Sequence, residues 1–170
     1  MIVIFYVAAV IAVLSTALAI TRLNAVHALL YLIVSLLSVA LVFFTLGAPF
    51  VAALEVVIYA GAIMVLFVFV IMMLNLGPQA AEQERQWLSA RTWLGPAILS
   101  LVLVAELAYV LIGTSQVATT GSVEPKQVGV ALFGPYLLGV ELASMLLLAG
   151  LVGANYLGRR SQLRDQEGEV

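Results

Sequence analysis

Apolar residues run in long blocks along this chain, and polar residues collect between the blocks instead of alternating within them. Five blocks are long enough to cross a membrane: about residues 2–20, 26–46, 49–74, 94–112 and 132–157. A helix rises ~1.5 Å per residue, so ~20 apolar residues cover a hydrocarbon core of ~30 Å. β-Branched runs such as Val56-Val57-Ile58 do not make these segments strands, because a lone strand in lipid leaves its backbone unpaired. The pattern predicts an all-α integral membrane bundle of five transmembrane helices, built as a single membrane domain over residues 1–170.

The connections carry helix-end chemistry. Asn24 is placed to cap the second helix. In "LGAPF", Gly47 suits the position just past a helix end and Pro49 the first turn of the next. "NLGPQ" ends the third helix in the same manner. The polar stretch "QAAEQERQWLSARTW" holds Trp87 and Trp93, residues suited to the headgroup zone. "GTSQVATTGSVEPKQVG" is expected as an exposed loop, and residues 158–170 as a charged, frayed cytoplasmic tail.

Composition agrees with a membrane protein. Of 170 residues, 64% are hydrophobic and 9% charged, against roughly 45–50% and about 25% in soluble domains. A net charge of −2 gives no footprint for nucleic acid. Without cysteine, and with His27 as its one histidine, the chain cannot form a disulfide, ligate a cluster through thiolates or bind haem through two histidines. Any redox cofactors of an enzyme it serves are therefore expected in other chains. His27 is expected to be an interfacial residue. Ala17 and Ala19 mimic a signal-peptidase site, but no basic region precedes the first block, so cleavage is not expected.

Charge also orients the helices. With five spans, one side carries Arg22, Arg85, Arg91, Arg159, Arg160 and Arg164, and the other Lys126 alone. The positive-inside rule puts the arginine side in the cytoplasm, the N-terminus in the periplasm and the C-terminus in the cytoplasm.

Three carboxylates fall within spans: Glu55, Glu106 and Glu141. A charge at that depth costs roughly 2.5–3.5 kcal/mol on insertion scales, so such groups face a bundle interior, a partner or water. Each reads either as a protonated acid bonded between helices or as part of a proton path. Glu55 lies in "ALEVVIYAGAIMVLFVFVIMML", with Tyr59 four residues on, on the same face of a regular helix. Helical rise puts Glu55 roughly 10 Å outward of the span's centre. Gly61, between Ala60 and Ala62, reads either as a close-packing surface or as the seat of a π-bulge. One inserted residue would turn everything beyond it by about 100° and shift it by about 1.5 Å. Met64, Val65, Phe67 and Phe69 would then rotate relative to Glu55. Glu106 has Tyr109 at i+3, and Glu141 has Ser144. Around Glu141 the pairs Gly139/Ala143, Ala149/Gly153 and Gly150/Ala154 have helix-packing spacing. No phosphate-cradling loop, nucleophile triad or metal cluster is apparent, so no catalytic, cofactor-binding or metal-ligating residue is assigned.

The run "HALLYLIVSLLSVALVFFTLGAPFVAALEVVIYAGAIMVLFVFVIMMLNL", with "LFGPYLLGVELASMLLLAGLVGA" later, resembles the subunit J family of bacterial respiratory complex I, the proton-pumping NADH:quinone oxidoreductase. Its mitochondrial counterpart is NADH dehydrogenase subunit six. The most specific piece is "EVVIYAGAIMVLFVFVIMM". The resemblance implies five spans in the bacterial inner membrane, between the quinone-binding heel and the antiporter-like subunits, packed against subunits A, H, K and N. It implies that FMN, iron–sulfur clusters and quinone belong to other subunits. It further implies a π-bulge near Tyr59–Gly61 that reverts to α-helix and so opens or closes a water path. Tyr59, Gly61, Met64, Val65 and Phe67 would form the gate, with Glu55 as a polar neighbour and proton relay.

A free-standing small transporter using Glu55, Glu106 and Glu141 is the competing reading from another class, and a passive scaffold is a third. The lack of repeats argues against the transporter. Orientation is directly measurable, since the chain has no cysteine of its own. In spheroplasts, Lys126→Cys should react with a membrane-impermeant maleimide and Ser161→Cys should not. The opposite pattern would invert the bundle.

Overall fold

The computed structural model describes residues 2–22, 25–74, 90–113 and 122–167. Among them, five helices are long and apolar enough to cross a membrane. The first two spans are α1 (Ile2–Thr21) and α2 (Ala25–Thr45). The third is composite: α3 (Pro49–Leu54), a π segment (Glu55–Ile63) and α4 (Met64–Leu74). The fourth is α5 (Ala90–Gly113). A short helix, α6 (Pro125–Leu132), precedes the fifth, α7 (Leu137–Glu167). Asn24, Arg85, Trp87, the "NLGPQ" helix end and residues 114–121 lie outside the described residues.

The chain divides into two compact units, Met1–Val123 and Glu124–Val170. The core of the first is made by Ile4 and Ala8 of α1, Leu41 of α2, and Leu103 and Val110 of α5. Hydroxyls join α1 to α2. Thr16 Oγ1 donates to the Ala12 carbonyl at 2.8 Å. Ser35 Oγ lies 2.7 Å from Thr16 Oγ1 and 3.1 Å from that same carbonyl. Interhelical bonds of this kind replace a hydrophobic driving force that lipid does not supply.

The α2–α3 turn forms as its residues require. Gly47 has φ 80°, its N–H bonds Phe44 O at 3.1 Å, and the Ala48 N–H bonds Phe43 O at 3.0 Å. That pair of bonds is the Schellman closure, which satisfies carbonyls left over at a helix end. Pro49 opens α3, where a missing N–H costs nothing. The Val123 N–H donates to Gly47 O at 2.8 Å, so the segment after α5 returns to the end of the unit where α2 stops. At the other end Arg22 lies over the Tyr31 ring, 5.3 Å from its centroid. Tyr31 is buried, and its hydroxyl occupies the space a side chain at position 95 would need. Gly95 therefore lets α5 approach α2 closely. These two ends make the four spans of the unit run alternately up and down.

Three expectations are corrected. The loop over residues 113–129 is not continuous loop: α6 begins at Pro125, with Gln127 Oε1 accepting from the Glu124 N–H at 3.2 Å. The fifth span does not start at Leu132. Pro135 has no N–H to continue a helix, and residues 133–136 form a turn before α7 starts at Leu137. Gly134 is needed there, since a Cβ would stand 2.7 Å from Val130 O. The tail is not frayed up to Glu167, because α7 runs on through it. Its Arg, Gln, Leu and Glu residues are good helix formers. His27, near the start of α2, is buried within the unit, 3% exposed.

Gly95→Leu should destabilise the protein by about 1–3 kcal/mol through overpacking against Tyr31. Gly129→Ala, with nothing within 4 Å of the new methyl, should be neutral or stabilising. Thermal unfolding of the purified protein distinguishes the two.

Candidate coupling site

The third span departs from α geometry where its unusual residues lie. Up to Leu54 the ladder is regular: the Glu55 N–H bonds the carbonyls of Val51 and Ala52. From Glu55 to Ile63, nine residues, the backbone is π-helical. At its far end the Met64 N–H reaches Tyr59 O, five residues back, and shares Gly61 O. The expected bulge around Tyr59–Gly61 is therefore present, and it is broader, starting at Glu55. Glu55 and Tyr59 both fall inside it. In the π register the residue stacked on Glu55 shifts toward Ala60, and no side-chain hydrogen bond joins Glu55 to Tyr59 among the described residues.

Gly61 fits this geometry for a steric reason. A Cβ there would stand 3.2 Å from Val56 O, the carbonyl one π turn back. That oxygen belongs to the backbone and has little freedom to retreat. The small-residue reading of Gly61 and the backbone-defect reading thus converge, with the close neighbour being the helix's own ladder.

The proposed gating residues do not all face the same way. Met64 is 2% exposed and is the largest fully buried side chain among the described residues. Tyr59, Val65 and Phe67 lie on its outside. Beside the start of the π segment is an apolar cavity of about 320 Å³, bounded by Leu41 and Phe44 of α2, Ala52 and Val56 of the third span, and Leu103 and Leu107 of α5. None of this free volume was legible in the sequence.

The three carboxylates separate. Glu55 is half-buried in the π segment. Glu106 is half-buried on α5, in a groove against α1. Glu141 belongs to the second unit and is exposed there. The polar contact between Thr16, Ser35 and the Ala12 carbonyl went unread in the sequence. Hydroxyl residues facing one another across two apolar blocks were the available clue.

These features describe a multi-pass membrane protein whose distinctive site is a backbone irregularity. Residues 15–157 match the family model of NADH-ubiquinone/plastoquinone oxidoreductase chain 6. A protein of Pseudomonas aeruginosa named NADH-quinone oxidoreductase subunit J is 61% identical, over 92% of this chain and 95% of its own. Proteins of the same name from Escherichia coli strain K12 and from Buchnera aphidicola subsp. Schizaphis graminum are 56% and 51% identical, over 98% and 94% of this chain and 89% and 98% of their own. The chain belongs to the NADH-ubiquinone/plastoquinone oxidoreductase chain 6 family, that of subunit J.

Gly61→Ala should move the segment toward regular α-helix, since the added methyl presses on Val56 O and alanine favours α-helix over glycine by about 1 kcal/mol. A structure of the variant checks this. An i→i+5 ladder kept intact between Val56 and Gly61 would contradict it.

Proposed function

We propose that this chain is a membrane-arm subunit of a bacterial NADH:quinone oxidoreductase that couples quinone reduction to proton pumping by interconverting the π segment with regular α-helix. The observation that carries the reading is the π segment Glu55–Ile63 within a membrane span. Family membership supports the enzyme, and the segment supplies an element with two plausible registers.

Relaxing the π segment to α geometry removes one residue's worth of insertion. Everything from Met64 onward then rotates by about 100° and shifts by about 1.5 Å relative to Glu55. Met64 would leave the interior and another side chain of α4 would replace it, altering what lines the path beside Glu55 and Tyr59. The 320 Å³ cavity next to Val56 supplies room for repacking. To be decisive the event that drives the switch must favour one register by about 5.5 kcal/mol, enough to move a 1:99 population to 99:1. In this reading Tyr59, Gly61, Met64, Val65 and Phe67 form the gate, and Glu55 holds or relays the proton. Glu106 and Glu141 are the remaining intramembrane acids available to such a path. Flavin, iron–sulfur clusters and quinone are held by other subunits. The neighbours are the complex's other membrane subunits, among them A, H, K and N, in the inner membrane with the arginine-rich side inward.

Gly61→Leu and Val65→Gly should each lower NADH-driven, quinone-linked proton pumping several-fold in inside-out vesicles. The assembled complex and its NADH oxidation by an artificial acceptor should be retained. Normal pumping by both variants would eliminate the switch and leave a scaffold.

A further inference from the structure

The groove between α1 and α5 contains a polar atom that none of the described residues satisfies. Glu106 projects into a space of about 350 Å³ beside Val3, Ile4 and Val7 of α1 and Ala105 of α5. Its Oε2 is shielded from solvent and has no hydrogen-bond partner among the described residues. Tyr109 supplies the groove's other polar group and is 71% exposed. Glu106 lies six positions before Ile112, the end of the span, a depth of about 9 Å.

Lipid does not suit this atom. Acyl chains offer no donor, and a polar group in hydrocarbon without a partner is costly. Intramembrane acids instead pair with one another or with groups on adjoining helices. The groove lies on the outside of the unit, between the start of α1 and the far half of α5, where Val3, Val104 and Tyr109 are exposed. A side chain entering it from an adjacent helix would find one carboxylate among apolar walls and an aromatic face one turn further along. That combination matches a cation: the carboxylate takes a charge-assisted hydrogen bond, and a tyrosine ring attracts positive charge over its face.

We propose that this groove is an intersubunit contact in which Glu106 pairs with a lysine or arginine of a neighbouring transmembrane helix. The proposal rests on the reading that the chain is a subunit of a membrane complex. It adds a residue outside the third span whose work is assembly and not gating.

The test uses the whole enzyme in its membrane. Glu106→Leu makes α5 more apolar, so its insertion is not impaired. The variant should lower recovery of intact complex after detergent extraction about fivefold or more, the effect of losing roughly 1 kcal/mol. Glu106→Lys should lower it further. Treating the unmodified complex with a lipid-soluble carbodiimide should link Glu106 to a lysine of another subunit, or leave Glu106 unmodified where arginine holds it. Unchanged recovery of the Leu variant would overturn the proposal. So would an N-acylurea adduct on Glu106 in the intact complex, or a link to Lys126 of the same chain. If the unmodified chain did not co-purify with NADH–quinone activity, both this proposal and the complex-subunit reading would fall. Co-purification with a negative Glu106 result overturns this proposal alone.

Discussion

Hydrocarbon offers no water to a peptide group, so every N–H and C=O within a span must find its partner in the protein. A helix in lipid therefore cannot open to change shape. It can only pass its hydrogen bonds to new partners. The third span does this: its ladder is regular at Glu55, which reaches Val51, and slipped by one residue at Met64, which reaches Tyr59. The slip leaves the chain helical on both sides. Gly61 is the residue that tolerates it, because the Val56 carbonyl approaches where a side chain would begin. The same accounting shapes the turn at Gly47, where the last carbonyls of α2 are taken up by the two N–H groups that follow.

Side-chain polar groups obey the same constraint with different solutions. Thr16 and Ser35 settle theirs locally, against each other and the Ala12 carbonyl, and in doing so join α1 to α2. Tyr31 buries its ring between Arg22 and Gly95, tying the start of α2 to the start of α5. Glu106 has no such local solution among the described residues: one of its oxygens is shielded from solvent without a hydrogen-bond partner, in a groove with largely apolar walls. Much of the apolar surface of both units also faces outward.

The length and order of the spans were legible because they depend on composition over ~20 residues, where single errors average out. The Gly47–Pro49 turn was legible because two residues with strict backbone demands stand at fixed spacing. The short helix α6 carried a readable cue, Glu124-Pro125 with Gln127 behind it, which was outweighed by the polar, glycine-containing run around it. The proline at 135 carried another, which would have moved the start of the fifth span to Leu137. The seating of Tyr31 against Gly95 had no cue of comparable strength, since it depends on a residue from a distant part of the chain.

By itself the sequence determined the all-α, five-span character of this protein, its lack of thiol ligands and the place where a helix could tolerate a defect. Those follow from local chemistry: hydropathy, missing side chains and missing N–H groups act within a turn or two. Tertiary structure decided that the π register runs over all nine residues from Glu55 to Ile63, that Met64 turns inward while Val65 and Phe67 turn out, and that Glu106 lies against α1. A helix ladder can slip by one residue at modest local cost, so the register adopted depends on which side chains and free volume the neighbouring helices present.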